Sequence, residues 1–263
     1  MFYKRFNTSQ NPFMEQPPLQ WLLQDERMDQ GLARLEYFAG QGLAALLLGQ
    51  TGVGKSSLLR LFMRRLEQNR CRTLYLHLAH LTAPALLRLI VAQLGEEPRL
   101  GKDRLFRQIL QGAQKSDAPA ILILDEAHLL APDALTDLRL LLSSALDETP
   151  KLKLLLCGQQ PLQQLLTRQA HADLAARIAV RYRLDPLSPE QTQAYIEARM
   201  RNAGAPEKCF EPEAAQAIHE YAQGIPRQIN NIATAALINA DAQNHNIITE
   251  ILVNQAMNEF RLP

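Results

Sequence analysis

Apolar and polar positions follow two interleaved rhythms up to about residue 184 of this chain, and a single rhythm after it. Apolar runs at residues 43–48 and 120–124 predict strands, and residues 152–156 a further one; the unbroken run at 43–48 reads as a strand covered on both faces, as in a parallel sheet. Residues 73–78 predict a further strand, and residues 177–184 the last, bounded by Pro186. Between them, apolar residues recur at helical spacing. Leu32, Leu35, Tyr37 and Phe38 predict a helix over 29–38 that ends at Gly40. Leu58, Leu59, Phe62 and Leu66 predict one from Lys55 to about Asn69. Residues 83–94 and 103–114 predict two more. Pro132 suits the first turn of another, with Leu135, Leu138, Leu142 and Leu146 on one side. Beyond Pro186 the alternation stops, and residues 188–202, 213–222, 226–243 and 249–260 all read as helices. Strands alternating with helices imply an α/β domain with a parallel sheet and helices on both faces. The tail implies a second, all-helical domain. The expected division is 1–40, an aromatic arm (Phe2, Tyr3, Phe6, Phe13) and helix packing on the α/β core; 41–185, the α/β domain; and 186–263, the helical domain.

One join between a strand and a helix carries chemistry. Gly49-Gln50-Thr51-Gly52-Val53-Gly54-Lys55-Ser56, followed by Ser57, fits G-x-x-x-x-G-K-[ST] in the strand-to-helix context that a phosphate-binding loop requires. Glycines let the backbone turn several N–H groups inward, and the helix that follows adds the positive end of its dipole. Lys55 would reach the β- and γ-phosphates of a nucleotide and Ser56 would ligate Mg²⁺. The apolar run Ile121-Leu122-Ile123-Leu124 ends in Asp125-Glu126. Such a strand delivers Asp125 beside the metal shell and sets Glu126 to orient or deprotonate a water. Gln159, after the next strand, is a candidate sensor of the γ-phosphate, and equally readable as a loop glutamine bonded to backbone. Arg177 and Arg181 stand at the last strand, where an arginine can stabilise transferring phosphate in trans or simply decorate an edge. Arg227 follows Gly224-Ile225-Pro226; an arginine in a helix's first turn opposes the dipole, which suggests an anion facing it. His128 reads as a histidine packed near a helix start, and the other histidines show no ligand spacing.

Composition narrows the partners. The chain has 28 basic and 27 acidic residues, a formal charge of +1, so bulk electrostatic attraction to nucleic acid or membrane is not indicated. Cys71, Cys157 and Cys209 are scattered and odd in number, which signals neither a disulfide framework nor a zinc site and suits a reducing cytoplasm. The first residues lack the apolar stretch of a signal peptide, and no run approaches the roughly 20 residues of a membrane span.

Taken together these motifs resemble the AAA+ ATPases, and more narrowly the ExeA/GspA-like group. The likeness extends from Asn11-Pro12-Phe13 through Leu124-Asp125-Glu126-Ala127-His128 and Cys157-Gly158-Gln159 to Gly224-Ile225-Pro226-Arg227-Gln228-Ile229-Asn230-Asn231. The resemblance implies a P-loop NTPase fold, a three-layer parallel sheet with a C-terminal helical lid, active as a ring or helical filament with ATP and Mg²⁺ at subunit interfaces. It implies Lys55 and Ser56 as Walker A, Asp125 and Glu126 as Walker B, Gln159 as sensor 1, Arg227 as sensor 2 and Arg177 as the arginine finger. Two subgroups share this core. Secretion and pilus-assembly ATPases commonly continue into a membrane segment and a peptidoglycan-binding domain. Transposition regulators similar to TniB, TnsC, MuB and IstB are short single modules. The length favours the second, which implies double-stranded DNA, a DDE-type transposase, a target-site adaptor protein and further copies of the chain as partners, without a membrane. Lys102, Arg104 and Arg107 would then touch DNA phosphates from each subunit, although taken singly each reads as part of a solvated helix face.

Overall fold

The computed structural model describes residues 2–23, 25–69, 71–143, 151–206 and 208–260; Leu146 lies outside them. Two compact units emerge, one comprising Arg27–Gln50 and Lys55–Leu184, the other Met1–Glu26, Thr51–Gly54 and Asp185–Pro263.

The larger unit is an α/β domain. Its elements run α1 (Glu26–Gln41), β1 (Ala44–Leu48), α2 (Lys55–Gln68), β2 (Arg72–His77), α3 (Ala83–Gln93), α4 (Lys102–Gln114), β3 (Ala120–Asp125), α5 (Pro132–Ser143), β4 (Leu152–Gly158), α6 (Gln160–Leu166), α7 (Ala172–Arg177) and β5 (Ile178–Arg183). The strands pair in parallel in the order β2-β3-β4-β1-β5. Every residue of β1, β3 and β4 is buried, which is why β1 and Ala120–Leu124 of β3 run apolar without alternation. On the edge strand β5 the apolar residues Ile178 and Val180 are buried while Arg181 and Arg183 face out. One face of the sheet packs Leu46, Leu122 and Leu154 against Leu87 and Ile90 of α3, Leu105 and Ile109 of α4, and Leu135 and Leu138 of α5. The other face meets α1, where the Tyr182 hydroxyl donates to the Arg27 carbonyl. Lys153 is the polar break in β4. Its buried ammonium donates to the Ala39 and Gly40 carbonyls at the end of α1, satisfying acceptors that a helix terminus leaves unpaired. Burial holds that ammonium below the usual lysine pKa, with the neighbouring Cys71 acting in the opposite sense.

Two helices escaped the periodicity reading. α6 and α7 are short and Gln- or Ala-rich, so they carry too few turns for an apolar repeat to show. Arg177 accordingly closes α7 instead of opening the last strand.

The smaller unit is helical: α8 (Pro189–Asn202), α9 (Pro212–Ala222), α10 (Pro226–Ala242) and α11 (Glu250–Phe260). Ser188 caps α8 by accepting the Gln191 N–H, while the Gln191 side chain accepts the Ser188 N–H; such a box stabilises a helix start by about 1 kcal/mol. Between α9 and α10 the chain passes through Gly224 at φ +69°, where a Cβ would lie 2.0 Å from the Leu187 carbonyl oxygen. No side chain fits there.

The aromatic arm belongs to this helical unit, a correction to its expected place on the α/β core. Phe2, Phe6 and Phe13 are buried with Ile196, Met200, Ile218, Ile232 and Val253. The apolar faces of the four helices supply the partners that the aromatic side chains need. The buried Arg199 guanidinium fixes the arm by donating to the Pro12 carbonyl at 2.6 Å and the Met14 carbonyl at 2.7 Å. Arg199→Met keeps much of the volume but leaves both carbonyls unsatisfied. Each hydrogen bond to a charged group contributes about 1.5–3 kcal/mol, so we expect the variant to lose about 2–4 kcal/mol. Trp21, buried in the same unit and the sole tryptophan of the chain, reports it: its fluorescence transition in urea should move to lower denaturant.

Candidate functional site

β1 ends at Leu48, and Gly49 donates its N–H to the Gly158 carbonyl at the end of β4. The loop then climbs through Gly52 (φ +80°) and Gly54 (φ +113°), conformations that L side chains rarely adopt. Within the helical unit, which includes loop residues 51–54, the Gly52 carbonyl accepts the Arg227 N–H, and a Cβ at Gly52 would come within 2.7 Å of the Arg227 Cβ. Lys55 opens α2 with its ammonium folded back onto the Gly49 and Gln50 carbonyls, 3.0 Å each. The side chain is almost wholly buried, and among the described residues no carboxylate pairs with it. A buried cation held only by neutral carbonyls, under a loop built for inward N–H groups, fits a polyphosphate.

Oxygen donors meet beside it. Ser56 Oγ lies 3.4 Å from Asp125 Oδ2. Asp125, at the end of β3 and fully buried, accepts the Glu126 N–H on Oδ1 at 2.9 Å and the Tyr75 hydroxyl on Oδ2 at 3.0 Å. His77 Nδ1 stands 3.7 Å from the same Oδ2. A hydroxyl and a carboxylate are the hard ligands that Mg²⁺ takes when phosphates and water complete its shell. Among the described residues no cluster of three His, Cys, Asp or Glu side chains forms a metal site without such help.

Glu126 turns the chain through the left-handed region (φ 57°, ψ 33°), away from the direction of β3. Its carboxylate then meets two residues from other segments. Gln159, capping α6, brings its amide nitrogen 3.4 Å from Glu126 Oε2 and 3.1 Å from His128 Nε2. An amide nitrogen donates, so His128 Nε2 accepts and the ring proton sits on Nδ1, 3.4 Å from Glu126 Oε2. That separation is too long for a strong bond, and Nδ1 is left without a satisfied partner.

Lys55, Ser56, Asp125, Glu126 and Gln159 therefore converge, and Tyr75 and His128 join them. Sequence reasoning set His128 aside and gave Tyr75 no role; strand pairing of β2 with β3 is what brings Tyr75 in. Arg177 stands apart, partly exposed at the end of α7, and among the described residues it has no hydrogen bond or ion pair. Arg181 donates to the Ala175 carbonyl. Arg227 faces Glu15 at 3.6 Å, both largely exposed. On α4, Lys102 is held 2.6 Å from the buried Asp137 of α5, whereas Arg104 and Arg107 are exposed.

Burial leads the forces on two further groups beside Asp125. It pushes the Cys157 thiol well above its usual pKa, with the Asp125 carboxylate adding to the effect. It raises the Tyr75 phenol in the same way, and the accepting Asp125 again contributes. Both stay protonated at neutral pH.

The chain is similar to known proteins. Residues 39–166 match the family described as AAA domain. General secretion pathway protein A of Aeromonas hydrophila is 34% identical over 260 residues, spanning 94% of this chain and 46% of that protein. The chain thus covers about half the length of this curated relative. Among solved structures, Cdc6p from Pyrobaculum aerophilum superposes with a TM-score of 0.75 at 20% identity, over 94% of this chain and 70% of that one. Drosophila ORC bound to DNA gives 0.75 at 18% identity, over 100% and 66%. At such identities the likeness speaks to the fold.

The cysteines offer a check on the site's interior. Cys157 is buried with a raised pKa, Cys209 is buried, and Cys71 is partly exposed. Ellman's reagent at pH 8 should modify Cys71 promptly in the folded protein and the other two only on denaturation. The stability gained from keeping Cys157 protonated is present below the unfolded thiol pKa, about 8.5. It is lost as pH rises from there through the higher folded value, so urea midpoints should fall above that pH.

Proposed function

The chain belongs to the AAA+ ATPases, within their ExeA/GspA-like group, and on that footing we propose that it binds ATP with Mg²⁺ and hydrolyses it as the motor module of a secretion-pathway assembly. The observation that carries the reading is the line of polar contacts, none longer than 3.4 Å, that runs from Ser56 through Asp125 and Glu126 to Gln159. In this reading residues 49–57 cradle the phosphates, with Lys55 trading its loop carbonyls for phosphate oxygens. Ser56 and Asp125 would hold Mg²⁺, which when bound neutralises charge on the β- and γ-phosphate oxygens. Glu126 orients the attacking water and takes its proton. Gln159, shared at rest between Glu126 and His128, is placed to exchange one of these partners for the γ-phosphate. Arg227 takes the sensor part that the family implies, and Arg177, whose side chain has no partner among the described residues, reaches the nucleotide of a neighbouring copy. In this reading residues 186–263 correspond to the family's helical lid domain and residues 41–185 to its α/β domain.

The relative named for general secretion moves that pathway ahead of transposition, which the chain length had favoured. The partner class is then a protein of the secretion apparatus at the membrane, together with further copies of this chain. Among the described residues no helix is long and apolar enough to cross a membrane. The transposition reading, with double-stranded DNA, a DDE-type transposase and an adaptor, retains one observation in its favour: Arg104 and Arg107 are exposed on α4 with no acidic partner among the described residues. Lys102, tied to Asp137, contributes less to it.

Steady-state hydrolysis and equilibrium binding of a fluorescent ATP analogue test the first reading. Lys55→Ala should abolish binding. Glu126→Gln should keep binding while turnover falls by about 10²-fold or more, the span of a positioned general base. Wild type that binds no ATP sinks the reading, and undiminished turnover in Glu126→Gln removes Glu126 from the chemistry. For the second reading, anisotropy of labelled duplex DNA is measured with a non-hydrolysable ATP analogue. The secretion reading expects no ATP-dependent affinity. Tight binding that weakens steeply from 50 to 200 mM salt, as phosphate contacts do, would restore the transposition reading.

A further inference from the structure

The orientation of Asp125 depends on donors of unequal quality. Oδ1 accepts the Glu126 N–H at 2.9 Å and Oδ2 accepts the Tyr75 hydroxyl at 3.0 Å. Ser56 Oγ, at 3.4 Å from Oδ2, lies outside the 2.5–3.0 Å range, approximately, of a well-formed O–H···O bond. His77 Nδ1 at 3.7 Å is farther still and belongs to a mostly exposed ring. The terminal torsion of an aspartate is broad and soft, so one donor on one oxygen would leave the carboxylate plane free to turn. Two donors on opposite oxygens fix it. The second is Tyr75, brought there because β2 runs parallel to β3 with Tyr75 opposite Ile123 and His77 opposite Asp125. Its phenol extends along the strand direction to reach one pleat ahead.

We propose that Tyr75 is a positioning residue for the metal: its hydroxyl holds the Asp125 carboxylate in the plane from which its remaining oxygen lone pairs, together with Ser56, would hold Mg²⁺. The proposal rests on the ATPase reading and adds a residue to it. Tyr75, the Glu126 N–H and, as a weak donor, the neighbouring Cys157 thiol engage the carboxylate, which has roughly four acceptor positions in all and so keeps about one for the ion. The weakly engaged Ser56 hydroxyl is free to turn toward the ion. Partners of Tyr75's kind change metal affinity or activity by about 10–100-fold when removed.

Tyr75→Phe deletes the hydroxyl and leaves the ring in place. Two readouts are taken on wild type and variant: the Mg²⁺ midpoint for tightening of a fluorescent ATP analogue, and the Mg²⁺ midpoint for hydrolysis. We expect both midpoints to rise about tenfold. Affinity for the analogue in EDTA should be unchanged, and kcat at saturating Mg²⁺ should stay within about threefold. Combining Tyr75→Phe with Asp125→Asn should add nothing to the shift that Asp125→Asn causes alone. Unchanged midpoints in Tyr75→Phe would reduce the tyrosine to packing. A loss of affinity in EDTA would place its effect on the phosphate loop or the fold, and an additive double variant would uncouple it from Asp125; each result overturns the proposal. Wild type without any Mg²⁺-dependent tightening would instead refute the ATPase reading and take this proposal down with it.

Discussion

Parallel pairing is the constraint on which the site depends. Because β3, β4 and β1 are neighbours running the same way, the segments that follow them all leave from one edge of the sheet. Asp125 and Glu126, Gly158 and Gln159, and the phosphate loop are therefore neighbours in space while lying far apart in sequence. Ligands of open parallel sheets gather at such strand ends for this reason. The apolar interior of the three strands, buried along their whole length, makes the arrangement rigid up to the last residue. Asp125 is that last residue of β3, and it is already fully buried. A polar group there must find partners within the protein, and Tyr75 and the Glu126 N–H are the best formed of them.

The resting geometry also shows where movement is cheap. Among the described residues the Lys55 ammonium bonds to its own loop carbonyls alone, and Gln159 is divided between Glu126 and His128 in contacts of modest quality. Neither arrangement is held by a strong pair of opposite charges, so a polyphosphate meets little resistance in displacing them. By contrast, Asp125 and Gly49 are pinned by well-formed bonds. Fixed ligand positions and loosely held reacting groups are a sensible division for a nucleotide site, since orientation must persist while bonds are exchanged.

How much of this was legible in the sequence depended on the range of the interaction concerned. Local signals were strong. The glycine spacing of the loop, the unbroken apolar strands, and the Ser188-Pro189 start of α8 all announce themselves within a few residues. The carboxylate pair could be read because it ends an apolar strand. Tyr75 could not, since its partner lies fifty residues away and a tyrosine in a strand is ordinary. Lys153 gives no local sign of its part either, since it satisfies the end of α1 from across more than a hundred positions. The left-handed turn at Glu126, which aims its carboxylate at Gln159, leaves no compositional mark because glutamate is not a residue that favours it. Arm placement failed for the same reason: Phe2, Phe6 and Phe13 signal burial without saying beneath which helices.

That arm has a consequence for biosynthesis. Arg199 follows Pro12 by 187 positions, and a ribosome adding about 5–20 residues per second needs roughly ten to forty seconds to make that stretch. During this interval the α/β segment can emerge and condense, whereas the first aromatic side chains have no helices to shelter under. The nascent protein thus carries this aromatic segment uncovered until the helices that shelter it have been made, a natural handle for a holdase.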